Sequence, residues 1–409
     1  MFMACVAAVL AAPAGAQSQI FADVQLTGGV VGNFTITLEP VKAPVAVANF
    51  IGLATGRNAW IDPATGRLRN DPFYQGLTFH RVVANFVSQT GSRNGQGTDG
   101  PGYSFANEID PSLSHATPYT VAMANSGGAY SNGSQFYITT GNATAAPTGL
   151  DGSYTIFGRV TSGAAVCDAL NAVTTNATSV PLTPVTIASV NIYGPSYSSF
   201  NLQPNGLPKV VGGRPSLTRN GTATTLGYDR QPYSSYFGSN STDLVSWTRF
   251  VNDVYFHGVA PTGDVDVTGQ ASGARAFFQY SRVDYSLARN PFIPASVANK
   301  TFTFPGLFGT QQVQMTINAA GTGGNYSYTF DGISSQGGNL TQVFYAVGNS
   351  TYSLRPAYAP YLFVQWDGTN PVQIAFDRLE YSSSSSGKHY GRSNVGGFSN
   401  LSGIFNSVP

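Results

Sequence analysis

Apolar positions recur with two different periods along the chain. After Pro44, the residues Val47, Phe50, Ile51 and Ala54 follow at three- and four-residue steps, which predicts one apolar face of a helix. Proline suits the first helical position and Gly56 supplies a stop. A second, shorter helix is expected around Val166 and Leu170. The remaining signal up to residue 193 is strand-like, at 34–38, 77–83, 120–123, 135–138, 154–157 and 185–192, with Gly, Pro, Asn and Asp between. From about 196 to 229 no period is sustained and Pro, Gly, Ser and Asn dominate, so this stretch reads as a linker. Alternation then resumes without helices. Val313, Met315 and Ile317, then Tyr326, Tyr328 and Phe330, then Val372, Ile374 and Phe376 form three such rows. They predict antiparallel sandwiches or barrels. The expected organisation is a first domain over 17–195, the linker, a β-sandwich-like module over 230–292 and an all-β domain over 293–409.

Composition narrows the function classes. Charged residues are 10% of 409, against about 25% in an average soluble domain. Hydrophobic residues at 42% and aromatics at 12% are enough for packed cores, and 47 Gly with 24 Pro fit turn-rich β structure. A net charge of +1 excludes a nucleic-acid partner, whose phosphates call for clustered Lys and Arg. No apolar run approaches the roughly 20 residues of a membrane-spanning helix. Residues 1–16 are apolar and end in Ala14-Gly15-Ala16, which predicts a signal peptide cleaved after Ala16 and an exported (periplasmic, cell-surface or secreted) protein, although no basic residue precedes the apolar core. Cys5 lies in that leader, so Cys167 is left without a disulfide partner. His80, His115, His257 and His389 lack metal-ligand spacing, and no metal or cofactor is expected. Gly95, Gly97 and Gly100 satisfy a dinucleotide-type glycine pattern, but Pro101-Gly102 follows at once and leaves a loop. Trp247 and Trp366 could face a carbohydrate, though core packing is their ordinary use.

One residue stands apart chemically. Strict alternation puts Leu77, Phe79, Arg81 and Val83 on one strand face, where a guanidinium is costly unless paired or used. Phe86, Val87 and Gln89 follow closely, and Asn125, Gln135 and Tyr137 later supply amides and an aromatic. A guanidinium cannot act as a base, but it can donate forked hydrogen bonds to an amide. The residues alone leave two readings open, an Arg over an apolar pocket and an edge-strand Arg turned to solvent.

The run Phe79-His80-Arg81-Val82-Val83 with Phe86 and Gln89, then Met123-Ala124-Asn125, then Asn132-Gly133-Ser134-Gln135-Phe136-Tyr137-Ile138 resembles the signature of the cyclophilin-type peptidyl-prolyl cis-trans isomerases. Asn49-Phe50, Leu150-Asp151-Gly152, Phe157-Gly158-Arg159-Val160 and Pro181-Leu182-Thr183-Pro184-Val185 fall in the family's order, so the resemblance spans about residues 20–193. Pro101-Gly102-Tyr103 with Phe105 and Glu108 resembles its bacterial branch. The resemblance implies an eight-stranded antiparallel barrel closed by two helices, acting on X–Pro bonds of proline-containing or unfolded polypeptides. It implies that Arg81 stabilises the twisted amide and Gln89 holds it. Phe86, Val87, Tyr137 and Leu150 would wall the proline pocket, with Tyr154 where many members have a pocket-lining His. Ala124, Asn125 and Gln135 would fix the peptide. Gly149 stands where the family often has a Trp that contributes to cyclosporin binding, and Tyr137 replaces a common Phe, adding a hydroxyl to the pocket. The rival reading is a catalytically weak proline-peptide binder, tethered to a surface or glycan by the C-terminal β modules.

Overall fold

A computed structural model describes residues 19–127, 130–141, 147–229, 231, 234–255, 262–271, 275–285, 296–310, 312–330, 334–346, 361–368, 372–383, 385–394 and 401–408. The leader over 1–16, with Cys5, lies outside them. In chain order the first region contains β1 (Phe21–Gly28), β2 (Gly32–Leu38), α1 (Pro44–Thr55), β3 (Trp60–Ile61), β4 (Leu68–Arg69), β5 (Arg81–Val83), β6 (Val87–Thr90), β7 (Thr120–Met123), β8 (Phe136–Thr139), β9 (Ile156–Ser162), α2 (Ala164–Asn171) and β10 (Val185–Tyr193). Eight of these strands form one antiparallel sheet in the order β10-β1-β2-β9-β7-β8-β6-β5. The sheet curls until the segment before β5 meets β10. Gly76 N–H reaches Ile187 O at 2.8 Å, Phe79 N–H reaches Val185 O at 2.9 Å, and Ile187 N–H reaches Leu77 O at 2.8 Å.

Both expected helices are present. Pro44 opens α1, and Gly56 ends it in the left-handed conformation (φ 68°) that glycine adopts without strain. Ala43 has no side chain to cap the first turn, and Glu108 does so from another loop, taking Val45 N–H at 2.9 Å and Ala46 N–H at 2.8 Å. Phe50 carries α1 into the barrel core, with ring centroids 5.3–5.5 Å from Tyr74, Phe136 and Phe157. Cys167 on α2 is buried, and burial pushes its thiol up to about 12, which leaves it unreactive.

The strand expected over 77–83 is broken in two. Leu77, Phe79 and His80 are all buried, Arg81 is exposed and Val82 is buried. The chain turns from β10 toward β6 between Phe79 and Val82, so Arg81 leaves the face of Phe79. Strict alternation is lost because the same few residues both close the sheet and begin a hairpin.

The stretch read as a linker is a second correction. Residues 209–229 form β11 (Lys209–Gly213), β12 (Ser216–Asn220) and β13 (Ala223–Asp229). With β14 (Ser234–Ser241), β15 (Thr248–Tyr255), β16 (Thr262–Asp266) and β17 (Phe277–Asp284) they make a four-stranded sheet, β11-β17-β14-β15, and a three-stranded one, β12-β13-β16. The chain before β11 also packs down. Leu202 O accepts a hydrogen bond from Asn58 Nδ2 at 3.0 Å, and Leu202, Leu207, Phe237, Val283 and Tyr285 belong to the same continuous core as α1 and the first sheet. A Pro- and Gly-rich stretch can thus be ordered where its few leucines find an apolar surface.

The third region is a closed eight-stranded barrel of β18 (Thr301–Pro305), β19 (Gln312–Ile317), β20 (Gly324–Phe330), β21 (Ser334–Ala346), β22 (Tyr361–Trp366), β23 (Gln373–Ser383), β24 (Ser386–Ser393) and β25 (Leu401–Val408). Along β19, Val313, Met315 and Ile317 point inward while Gln312, Gln314 and Thr316 face out. On this strand the apolar side faces the interior and the polar side faces out, the reverse of a membrane barrel's strand. Trp366 is packed face to face with Tyr326 at 4.0 Å, which is a core use rather than an open platform. Among the described residues, no helix is long and apolar enough to cross a membrane.

His389 is the polar exception inside this barrel. It is 1% exposed, stands edge-on to the stacked rings of Phe304 and Phe376, and its Nδ1 has no partner. Burial lowers its pKa from 6.5 to about 4. The folded value lies below the unfolded one, so protonation favours the unfolded barrel. Stability should be complete above pH 6.5 and decline as the pH falls toward 4, by on the order of 2 kcal/mol at pH 4.5. Calorimetric melts of wild type and His389→Leu at pH 7 and 4.5 check this: the acid-induced loss should be smaller in the variant, and equal losses exclude His389 as its source.

Candidate functional site

Arg81 and Gln89 are directly opposed in the antiparallel β5–β6 pair, and Gln89 is in turn opposed to Tyr137 on β8. Register therefore delivers a guanidinium, an amide and an aromatic ring side by side. The hairpin that carries them is short and is held from below by α2. Asn171 Oδ1 accepts Asn85 N–H at 2.8 Å, and its Nδ2 donates to Val83 O and Ser88 Oγ, each at 3.1 Å. Asn85 sits at φ 60°, a turn conformation that asparagine tolerates better than most residues. Phe86 follows it at the pocket rim.

A directed chain of amides orients Arg81. Gln135 Nε2 donates to Gly97 O at 3.0 Å and to Asp99 O at 2.8 Å, which uses both of its hydrogens. Gln135 Oε1 must then accept, and it does so from Gln89 Nε2 at 3.0 Å. That leaves Gln89 Oε1 to receive Arg81 Nη1 at 3.4 Å. The polarity of each amide is forced by its predecessor, beginning from two fixed carbonyls of the 97–99 loop. Gly97 has φ 72°, and a Cβ there would lie 3.0 Å from His80 Nε2, so glycine keeps this loop close to the buried imidazole. His80 is a packed residue whose pKa burial lowers.

Beside Arg81 lies a separate apolar cluster. Val87, Ala122, Tyr137 and Ile156 form its buried floor, with Phe86, Leu113, Ala124, Leu150 and Tyr154 packed around it. The structure thus gathers Phe86, Val87, Ala124, Tyr137, Leu150 and Tyr154, all named from sequence, and adds Leu113, Ala122 and Ile156. Asn125 turns its amide to the protein, with Nδ2 donating to Ser153 O at 2.8 Å and Oδ1 accepting Gly127 N–H at 2.9 Å. Its side chain, like that of Gln135, shapes the site by internal bonds.

The added hydroxyl of Tyr137 is accounted for by residues that sequence spacing did not connect. His115 Nε2 lies 2.8 Å from Tyr137 Oη, and His115 Nδ1 lies 2.6 Å from Asp151 Oδ1. Asp151 also accepts Ser114 Oγ–H at 2.6 Å and His115 N–H at 2.8 Å, and these bonds hold its carboxyl below the usual range against partial burial. An ionised Asp151 fixes the proton on Nδ1, so Nε2 accepts from the tyrosine. Burial lowers the His115 pKa, with Asp151 acting against it, and burial raises that of Tyr137. The hydroxyl is therefore engaged by the protein and does not add a free polar group to the pocket. Asp151 and His115 are 36 positions apart, and no periodicity links them.

A family description, cyclophilin type peptidyl-prolyl cis-trans isomerase/CLD, matches residues 21–192. Peptidyl-prolyl cis-trans isomerase B of Streptomyces anulatus is 46% identical over 163 residues, which are 39% of this chain and 90% of that protein. Peptidyl-prolyl cis-trans isomerase A of Mycobacterium tuberculosis is 40% identical over 163 residues, 39% of this chain and 87% of the relative. A solved structure of a Cryptosporidium parvum cyclophilin-type isomerase covers 43% of this chain and 98% of its own, at 23% identity and a TM-score of 0.36.

The pocket wall and its hydrogen-bonded support can be separated experimentally. Tyr137→Phe keeps the ring and leaves His115 Nε2 unsatisfied, at a cost of about 1–3 kcal/mol. It should lower the melting temperature while changing the affinity for a proline peptide less than about threefold. A variant that melts like wild type, or that loses peptide affinity entirely, contradicts this division of roles; thermal melts and peptide titration measure both.

Proposed function

This chain belongs to the cyclophilin-type peptidyl-prolyl cis-trans isomerases, and from that premise we propose that Arg81 accelerates rotation about X–Pro bonds of exported proteins by stabilising the twisted amide. Conjugation makes this rotation slow, with a barrier of ~18–20 kcal/mol and unaided times of tens to hundreds of seconds. Twisting the bond localises a lone pair on the prolyl nitrogen. A guanidinium N–H directed at that nitrogen stabilises the twisted form more than either planar one, which is the condition for lowering a barrier. The apolar cluster beside Arg81 suits the proline ring, with Phe86, Val87, Tyr137, Leu150 and Tyr154 around it and Ala124, Asn125 and Gln135 along the peptide's path. No bond is broken and no group is transferred in this reading.

The observation that carries it is the amide chain from Gly97 and Asp99 through Gln135 and Gln89, which holds Arg81 at the pocket's edge. One charge-assisted hydrogen bond is worth about 1.5–3 kcal/mol, or roughly 10–100-fold in rate. Arg81→Ala should lower kcat/KM by that factor in a protease-coupled proline-peptide assay, with peptide affinity largely kept, and Gln89→Ala should lie between. Full-length protein is used because Leu202 and Leu207 complete the first region's core. Equal turnover in wild type and Arg81→Ala sinks the role of Arg81. Peptide binding without acceleration in wild type favours the binding-module alternative.

The export part of the proposal is supported by the apolar leader ending in Ala14-Gly15-Ala16. N-terminal sequencing of protein recovered outside the cytoplasm should begin at Gln17. A mature chain still beginning at Met1 contradicts it.

A further inference from the structure

A cavity of about 490 Å³ adjoins the proline pocket, and its walls come from two regions of the chain. The first region supplies Gln89, Ala124, Gln135 and the 97–104 loop, and the middle sheet supplies Phe237 on β14 and Arg249 on β15. Ala124 packs against the proline pocket while also lining this cavity, and Gln89 lines it while holding Arg81. A bound chain rises about 3.3 Å per residue, so a side chain within three residues of the proline reaches the cavity.

The charged side chains on its walls are Asp99 and Arg249. Asp99 is turned into its own loop, where Oδ1 accepts Ser92 Oγ–H at 2.6 Å and Arg93 N–H at 2.9 Å, and Oδ2 accepts Asn94 N–H at 2.9 Å. Arg249 is held differently. Its stem lies against Gly66, where a Cβ would come within 2.9 Å of Arg249 Cγ, and its guanidinium stands 6.0 Å from the centre of the Phe237 ring. Nη1 donates to Pro63 O at 3.3 Å. Among the described residues no carboxylate lies within ion-pair reach of Arg249. A guanidinium has five N–H donors in a planar fork, and a carboxylate is the group that matches such a fork. Its half-buried position reduces screening by water and salt.

We infer that Arg249 makes this enzyme select X–Pro substrates with Asp or Glu within three residues of the proline. The inference rests on the isomerase reading and deepens it: a side chain from the appended β region completes the substrate site of the first. Arg249 is a specificity residue for a neighbouring acidic side chain and has no part in the rotation itself.

The test uses paired peptides carrying Glu or Gln at each of three positions on either side of the X–Pro bond. Each pair is assayed with full-length wild type, Arg249→Gln and Arg249→Glu. The readout is the Glu/Gln ratio of kcat/KM within one protein, which cancels any loss of folded material. Wild type should show a ratio of about 5–10 at one or more positions, the size expected of one half-screened charged hydrogen bond. The ratio should fall to about 1 in Arg249→Gln, drop below 1 in Arg249→Glu, and shrink in wild type as salt is raised. A wild-type ratio near 1 at every position, or an undiminished ratio in Arg249→Gln, overturns the inference. Arg81→Ala is run in parallel: loss of turnover there with the ratio near 1 in wild type separates failure of this inference from failure of the Arg81 reading. If no protein accelerates the reaction, the same ratio taken from peptide affinities by fluorescence anisotropy decides the matter.

Discussion

Two backbone carbonyls, those of Gly97 and Asp99, set the direction of every polar group between the loop and Arg81. An amide side chain placed between two others has two orientations of nearly equal shape. What removes the choice is that Gln135 gives both of its N–H hydrogens to carbonyl oxygens, which have nothing to donate in return. Its oxygen must then face Gln89, and the oxygen of Gln89 must face Arg81. A carboxylate at position 135 would present oxygens to oxygens and break the sequence at its first step. An exposed arginine is thereby given one preferred bearing by a neutral amide, so its charge remains available to a substrate.

The sheet geometry makes that chain possible. β6 lies between β5 and β8, and direct opposition puts Arg81, Gln89 and Tyr137 in one row across three strands. β5 has only three residues, too few to hold a hairpin in register unaided. Asn171 on α2 and the bond from Val82 N–H to Ser179 O supply the missing constraint. The apolar pocket sits on the neighbouring strands, with the Asp151–His115–Tyr137 bonds supporting it from behind. Polar orientation and apolar shape are thus maintained by separate sets of contacts.

Much of this was legible in the order of residues, for reasons that differ by element. α1 was legible because proline, a three-four apolar repeat and glycine each limit the backbone in the same direction. The strand at 120–123 was legible because both of its faces are apolar, and the one at 34–38 because Phe34, Ile36 and Leu38 strictly alternate with threonines. The 77–83 segment was misjudged because alternation is informative only while a strand keeps one neighbour on each side, and here the neighbours change after Phe79. The 196–229 stretch was misjudged because glycine and proline mark irregular backbone, whereas order there comes from Leu202 and Leu207 docking on distant residues. Arg81 and Gln89 were recognisable as a motif. Their tie to the 97–99 loop was not, because the carbonyls that fix it belong to the backbone, where side-chain identity leaves no trace.

The middle sheet is more than an appendage. Phe237, Val283 and Tyr285 enter the core that also contains α1 and the first sheet, so separating the two would expose apolar surface at about 25 cal/mol per Å². The docking surface is the loop side of the barrel: Ser239 Oγ donates to Thr65 O at 2.6 Å, and the Arg67 guanidinium stands 4.8 Å from the Trp247 ring. On that same side, the 97–104 loop offers the carbonyls of Gly97 and Asp99 to Gln135 and also walls the cavity that Arg249 lines. A hydrogen bond weakens steeply once it lengthens or bends, so a small shift of this loop would be passed along the amides to Arg81. The middle sheet faces this loop across the shared cavity, at the point where the orientation of the whole polar row begins.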